Sequence, residues 1–349
     1  MNPADRERAA ARLDRVVAAF AGKKRFLVQT HNNPDPDSLA CALALRHVIH
    51  RETAEDTVIA FGGVVGRAEN RAMVRQLAIP LTQASLVDYS RYDFIAICDT
   101  QPGTNYSSLP DGCVPTVVID HHALRPESKQ SQVAIVEPRY GATSSLVAEM
   151  LLAKGVPIPT DVATALYYGM KSETQDLARD ATEIDVEVYG ELAKLMDRRV
   201  LARIELGRVP REYFTDVLTV LSTAVVRGRV VTADLGVLRV PDMVPEMADF
   251  LLRMETIRWT CVMGEYEGAL YVSVRTTDPD ANAGDAIRKA IAGMGSAGGH
   301  ASMGGGQIPV PGFTEAEKEE AKRAFLDALL PLTGVSAGPE EPLIRGVGD

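Results

Sequence analysis

Three short apolar runs in this chain lack polar alternation, and each stops at an acid or a histidine. They are residues 25–30 (RFLVQT, then His31), 94–98 (FIAIC, then Asp99) and 115–119 (PTVVI, then Asp120). A strand that is apolar on both sides must be covered on both faces, which an all-antiparallel sheet with one wet face does not provide. Similar runs lie at 57–61 (TVIAF) and 132–136, and helical patterns fall between them at 4–22, 37–50, 67–77, 143–154 and 160–170. Strand–helix alternation of this kind predicts a mostly parallel sheet flanked by helices, an α/β domain over residues 1–190.

The character then changes. Residues 183–205 are charged and helical in pattern, and a helical linker is expected over 191–215. Beyond it, a helix is expected at 217–227. Apolar–polar alternation at 230–240, with a turn at 233–234, and at 257–276, with a turn at 265–268, predicts antiparallel strands. A capped helix at 278–291, a glycine-rich loop at 293–306 and a last helix at 314–330 complete a smaller α+β domain over 216–334. Residues 335–349, rich in Gly, Pro and Glu, are expected to be a flexible tail.

Length and composition agree with two soluble domains: 349 residues, 46% hydrophobic and 24% charged. No run approaches the ~18 uncharged apolar residues of a membrane-spanning helix. The start, MNPADRERAA, has no apolar signal core. Cys41, Cys98, Cys113 and Cys261 are far apart and form no C-x-x-C pair, so neither a disulfide framework nor a cysteine zinc site is expected. The expectation is a cytoplasmic protein that engages no membrane. The net charge of −10 disfavours long or duplex nucleic acid, which a basic stripe would be needed to hold. It leaves room for a small phosphorylated ligand held by a few arginines and metal ions.

The chemistry-bearing residues cluster at the strand ends, where ligands bind in open parallel sheets. His31-Asn32-Asn33-Pro34-Asp35-Pro36-Asp37 follows the first run, with prolines that stiffen the loop. Alone it reads equally as a polar turn in which Asp37 caps the next helix. Asp99 alone reads equally as a cap or turn residue. Asp120-His121-His122 adds imidazoles, good transition-metal ligands, with an aspartate placed to fix a tautomer. Together, three strands that each deliver acids or histidines to their tips point to a metal site.

These motifs resemble the DHH phosphoesterase superfamily. HNNPDPD is similar to its first motif, Asp99 to its second and Asp120-His121-His122 to its name-giving third. The first domain is similar throughout, including the stretches around Phe61 and Asn70, and the group most similar is the two-domain nanoRNase/pAp phosphatases. The fourth motif, G-I-x-T-D-T-like, is here 169–174 (GMKSET), with Glu173 where the family has aspartate; Asp176 is the alternative ligand. In the second domain, 295–306 (GSAGGHASMGGG) resembles the G-G-G-H signature of the DHH-associated domain, loosely after the histidine, and Arg275 resembles its phosphate-holding arginine.

The resemblance implies a set of roles. His31 and Asp35 bind one divalent ion, Asp37, His121 and Glu173 a second, and Asp99 bridges; the expected ions are Mn2+. Such a pair activates water and clamps phosphoryl oxygens. His122 stabilises or protonates the leaving oxygen. Arg275, Gly298, Gly299 and His300 hold the nucleotide. The expected activity is hydrolysis of short oligoribonucleotides or of the 3′-phosphate of pAp. Alternatives are a pApA or cyclic-dinucleotide phosphodiesterase and, of another class, a non-catalytic nucleotide sensor with a degraded metal site. Pyrophosphate hydrolysis is disfavoured by the nucleotide-binding type of second domain. Short RNA or a small phosphorylated nucleotide is the expected partner, and a homodimer the expected assembly. The Gly62-Gly63 segment lacks dinucleotide-loop spacing and a phosphate-loop lysine and reads as a turn.

Overall fold

The computed structural model describes residues 2–104, 106–299, 301–334 and 339–344. The chain divides into two compact units, Met1–Arg208 and Val209–Asp349.

In the first unit, α1 (Pro3–Ala18) precedes β1 (Phe26–Gln29), α2 (Pro36–Thr53), β2 (Thr57–Phe61), α3 (Ala68–Gln76), β3 (Leu81–Gln83), β4 (Phe94–Cys98), β5 (Val117–Asp120) and β6 (Val133–Val136). The helices α4 (Thr143–Lys154), α5 (Thr160–Glu173), α6 (Glu183–Leu192) and α7 (Arg198–Glu205) follow. The strand order is β3-β2-β1-β4-β5-β6, and every pair is parallel. Every residue of β1, β4 and β5 is buried, as their uninterrupted apolar pattern requires. The order reverses between β1 and β4, the position at which the C-terminal edge of such a sheet opens into a crevice. α6 and α7 are part of this unit and not a free-standing connector, because Leu192, Leu201 and Ile204 are buried in its core. The division at Arg208 falls inside the span expected to be a linker.

In the second unit, α8 (Arg211–Thr223) is followed by β7 (Val225–Arg227), β8 (Val230–Val237), α9 (Met243–Leu251), β9 (Trp259–Tyr266), β10 (Ala269–Thr276), α10 (Ala283–Ala290), β11 (Ser296–Gly299), β12 (Met303–Pro309), α11 (Glu315–Leu329) and β13 (Glu340–Pro342). One sheet runs β11-β12-β10-β9-β8-β7-β13, antiparallel except for the β8–β9 pair. Alternate residues of β9 serve opposite faces. Trp259, Cys261 and Met263 pack with Ile287 and Phe325 of α10 and α11, whereas Val262 packs with Met247 and Val220 of α9 and α8.

Several expectations for this half change. The helix expected to reach 227 ends at Thr223, because Val225–Arg227 turns back through Gly228 (φ 60°) to pair with β8. The turn expected at 233–234 is absent. β8 runs on to Val237, with Asp234 held by Lys322 of α11 at 2.6 Å. The first turn of the helix expected from 278 is non-helical, since the side chain of Asn282 caps α10 by accepting from the Asp285 amide. The glycine-rich loop is a hairpin, in which Gly298 pairs with Gly305 and Gly299 with Gly304. Its glycines make room for the overlying helix: a Cβ on Gly304 would lie 2.7 Å from Ile287 and one on Gly306 2.8 Å from Ile291. The expected tail contributes β13, which pairs with β7.

Candidate metal centre

Because β1, β4 and β5 are adjacent and parallel, the segments that leave them emerge side by side. Sequence positions far apart are thereby brought together. One carboxylate oxygen of Asp99 lies 3.6 Å from His31 Nε2, and the other lies 3.8 Å from His121 Nε2. His31 Nε2 is also 3.3 Å from Asp35 Oδ1. Among the described residues, two sets of three donors each converge within 4.8 Å: His31, Asp35 and Asp99, and Asp99, His121 and His122. Asp99 belongs to both.

The local backbone explains the convergence. Asp99 sits at φ 57°, a left-handed conformation that costs a non-glycine residue on the order of 1 kcal/mol or more. It is held there by its own amide, which donates to the Ile119 carbonyl at 2.9 Å, and by Thr143, whose hydroxyl donates to Oδ1 at 2.8 Å. His31 and His121 are each anchored through Nδ1 on a main-chain carbonyl, that of Asn32 at 2.8 Å and of Tyr140 at 3.1 Å. Such anchoring fixes the tautomer and presents Nε2 as the ligand atom.

The loop of His31 is braced by residues to which the sequence assigned no such role: Asn32 and Asn33 within the motif, and the Gly62-Gly63 segment read as a turn. Asn32 accepts from Ser108 at its side-chain oxygen, and Asn33 accepts from the Val64 amide at 2.9 Å. A Cβ on Gly62 would lie 2.0 Å from the Asn32 side chain and one on Gly63 2.2 Å from that of Asn33. The two glycines are therefore a close-approach platform for the loop. The signal was a glycine pair at a strand end; its meaning needed the loop beside it.

Asp37 stands differently from the expectation. Asp35, not Asp37, caps α2, accepting from the Ser38 amide at 2.9 Å. Asp37 lies within α2 and caps α4: its two oxygens accept from the Thr143 and Ser144 amides, each at 2.7 Å. It is in neither three-donor set. Glu173, the last residue of α5, is also outside them; it is paired with Arg179 at 3.4 Å, yet its charge acts on both Asp37 and Asp99. Asp176 points to the Tyr189 hydroxyl and to Lys171 Nζ, 3.8 Å away.

Burial and mutual repulsion set the electrostatics. Burial, then the neighbouring carboxylates of Asp37 and Asp35, pushes Asp99 well above the usual carboxylate range. Burial raises Asp37 to about 6, with His121 opposing and Asp35 and Glu173 adding to the rise. For His31, burial opposes the charge, but the charge and hydrogen bond of Asp35, the Asn32 carbonyl and the Asp37 charge together lift the imidazole to about 9. Burial works against the Asp35 carboxylate, but His31 and the hydrogen bonds from Ser38 together hold it below its ordinary range. A buried carboxylate cluster of this kind, with imidazole Nε2 atoms aimed into it, fits a divalent transition metal, which would relieve the repulsion.

His122 is placed by Asp120: Nδ1 donates to Asp120 Oδ1 at 2.8 Å. Burial alone would lower this imidazole, but the Asp120 hydrogen bond and charge raise it.

The second unit holds the remaining expected site residues. Arg275 on β10 is largely buried and ion-paired with Asp249 at 2.6 Å, and it also donates to Ser273 Oγ at 2.8 Å. Gly298 and Gly299 lie on β11, and the Gly299 carbonyl accepts from Arg288 at 3.3 Å. His300 lies outside the described residues.

A strand-end centre of acids and histidines on a parallel sheet, followed by a mixed-sheet unit, defines a class. Residues 25–170 match the DHH family N-terminal domain, and residues 229–330 match the DHHA1 domain. The chain belongs to the DHH family. It is 33% identical over 311 residues to an uncharacterized protein of Methanocaldococcus jannaschii, an alignment covering 87% of this chain and 62% of that one. It is 27% identical over 186 residues to a probable manganese-dependent inorganic pyrophosphatase of Streptococcus pyogenes, covering 50% of this chain and 56% of the other. The chain thus spans less than two thirds of the length of these relatives. Among solved structures, an exopolyphosphatase-related protein from Bacteroides fragilis has the same fold, with a TM-score of 0.72 and 16% identity, covering 93% of this chain and 98% of its own. RecJ from Thermus thermophilus, solved with Mn2+, gives a TM-score of 0.53 at 16% identity, covering 96% of this chain and 55% of its own.

Proposed function

We propose that this chain is a metal-dependent phosphoester hydrolase acting on short oligoribonucleotides or on the 3′-phosphate of a nucleotide such as pAp. The observation that carries the reading is Asp99, one carboxylate shared by two donor sets. His31 and Asp35 would hold one divalent ion, and His121, with Asp37 and Glu173 nearby, a second. Manganese is the ion proposed, in keeping with the manganese-dependent relatives and with RecJ solved with Mn2+. When bound, two divalent ions supply an activated water and charge compensation at the phosphoryl oxygens.

The chain's own residues do the rest. Asp99, pinned by Thr143, keeps both donor sets in register. His122, held by Asp120 through Nδ1–H, would as the imidazolium give its Nε2 proton to the leaving oxygen. Arg275, with Gly298, Gly299 and His300, is proposed to hold the phosphate and sugar of the nucleotide. The net charge of −10 supports a short substrate, since a long strand needs a basic track.

The test is initial rate with manganese on pAp, pApA, RNA of two to five nucleotides, long single strands and pyrophosphate. The reading expects the short nucleotides to be fastest. Faster cleavage of long strands favours a processive exonuclease. Turnover of pyrophosphate alone overturns the nucleotide specificity, and binding without turnover of any substrate favours a sensor.

A further inference from the structure

Two residues after Asp99, Gln101 is 2% exposed and uses its side-chain amide in full. Nε2 donates to Asp120 Oδ2 at 2.6 Å and to the Ala123 carbonyl at 3.0 Å. Oε1 accepts from the Arg125 amide and from the Ser128 hydroxyl, both at 2.8 Å. An amide has two donor hydrogens and two acceptor lone pairs, so all four capacities are met. Rotating it by half a turn would set Oε1 against a carboxylate and a carbonyl, and the contacts therefore fix its orientation.

This amide ties the end of β4 to the segment after β5. Asp120 receives Gln101 on one oxygen; on the other it receives the His122 imidazole at 2.8 Å and the His121 amide at 3.0 Å. A carboxylate clamped from one side cannot rotate away from the imidazole on the other. The chain of contacts runs from Gln101 through Asp120 to His122 without a gap.

We propose that Gln101 is a positioning residue that locks Asp120, and through it the orientation and tautomer of His122, for proton delivery to the leaving oxygen. This rests on the hydrolase reading above. The side chain of Gln101 touches none of the residues proposed to hold the ions, His31, Asp35, Asp37, Asp99, His121 and Glu173, so its loss should spare metal binding. The amide's two ends also separate the roles. The Nε2 end serves Asp120, whereas the Oε1 end staples the 125–128 segment.

The experiment compares Gln101→Glu, Gln101→Met and Ser128→Ala with the wild type on two substrates. One is a ribodinucleotide, whose leaving alkoxide needs a proton; the other is a p-nitrophenyl phosphodiester, whose leaving phenolate does not. Gln101→Glu keeps the acceptor end and removes the donor end. We expect its kcat on the dinucleotide to fall about tenfold or more, with KM and manganese affinity within about threefold of wild type. On the p-nitrophenyl ester the loss should stay below about threefold. Gln101→Met should behave alike if it folds, and Ser128→Ala should leave both rates near wild type. Equal losses on the two substrates, or none, overturn the proposal. A second readout is independent of turnover: the tautomer of His122 by long-range nitrogen–proton correlation in 15N-histidine-labelled protein. Read on the neutral imidazole, the wild type should carry its single proton on Nδ1, toward Asp120, which leaves Nε2 to take up the second proton that is delivered, and Gln101→Glu should show a mixture. An unchanged signature overturns the proposal. If the wild type hydrolyses neither substrate but the tautomer shifts, the positioning stands and the hydrolase reading falls.

Discussion

The hydroxyl of Thr143 donates to Asp99 Oδ1 at 2.8 Å, joining the first turn of α4 to the carboxylate that both donor sets share. Thr143 is fully buried, so no water can replace that bond. Thr143→Val keeps the shape and removes the donor. A lost hydrogen bond to a charged group is worth ~1.5–3 kcal/mol. Manganese affinity by calorimetry should fall about tenfold or more, and Thr143→Ser should restore most of it. Unaltered affinity in the valine variant would show that Asp99 needs no such support.

Metal should change how stability depends on pH. In the metal-free fold, Asp37 is raised to about 6 and His31 to about 9. Across Asp37's window, from its ordinary 3.8 to about 6, and His31's, from 6.5 to about 9, the folded chain holds more protons than the unfolded one. Stability therefore falls as pH rises through both. Asp35, depressed below its ordinary value, acts with the opposite sign, but only near and below that value. The melting temperature in EDTA should decline from about pH 5 to about pH 9. Manganese should flatten or reverse that slope, since metal binding displaces protons. A metal-free melting temperature that climbs over this range contradicts the electrostatics described.

Glu173 and Asp176 compete for the role of the fourth-motif ligand. Glu173 acts electrostatically on Asp37 and Asp99, whereas Asp176 is engaged by Tyr189 and Lys171. Glu173→Ala should lower occupancy of one metal and cut kcat, and Glu173→Asp should be tolerated. Asp176→Ala should leave metal stoichiometry unaltered. Metal content by elemental analysis and kcat on a dinucleotide decide; loss in the Asp176 variant alone reverses the assignment.

Arg275 is ion-paired with Asp249, so its loss has two components. Arg275→Ala should raise KM for a nucleotide, by an amount on the order of 1.5–3 kcal/mol if a charged phosphate contact is lost. Metal affinity should not move. A normal KM would mean that the arginine serves only its partner Asp249 and the β10 strand.

The strands, and the acids and histidines that follow them, were readable from local pattern. Uninterrupted apolar runs ending at His31, Asp99 and Asp120 predicted buried parallel strands, because burial on both faces leaves no place for polar alternation. What the linear chain could not decide was partnership. Asp37 reads as a ligand or a cap with equal ease, and only the arrival of α4, more than a hundred residues later, gives both its oxygens to backbone amides. The glycines at 298–306 read as an open loop, yet they pair as strands under α10, since the space their missing side chains leave is filled by Ile287 and Ile291. Gln101 carried no motif; its importance is a matter of four simultaneous contacts across two strand ends. Residue type and spacing determine which atoms can donate, accept or ligate. Which of those capacities is spent on structure and which is left for chemistry is set by long-range packing, because a carboxylate or an amide is satisfied by whichever partner the fold brings within about 3 Å.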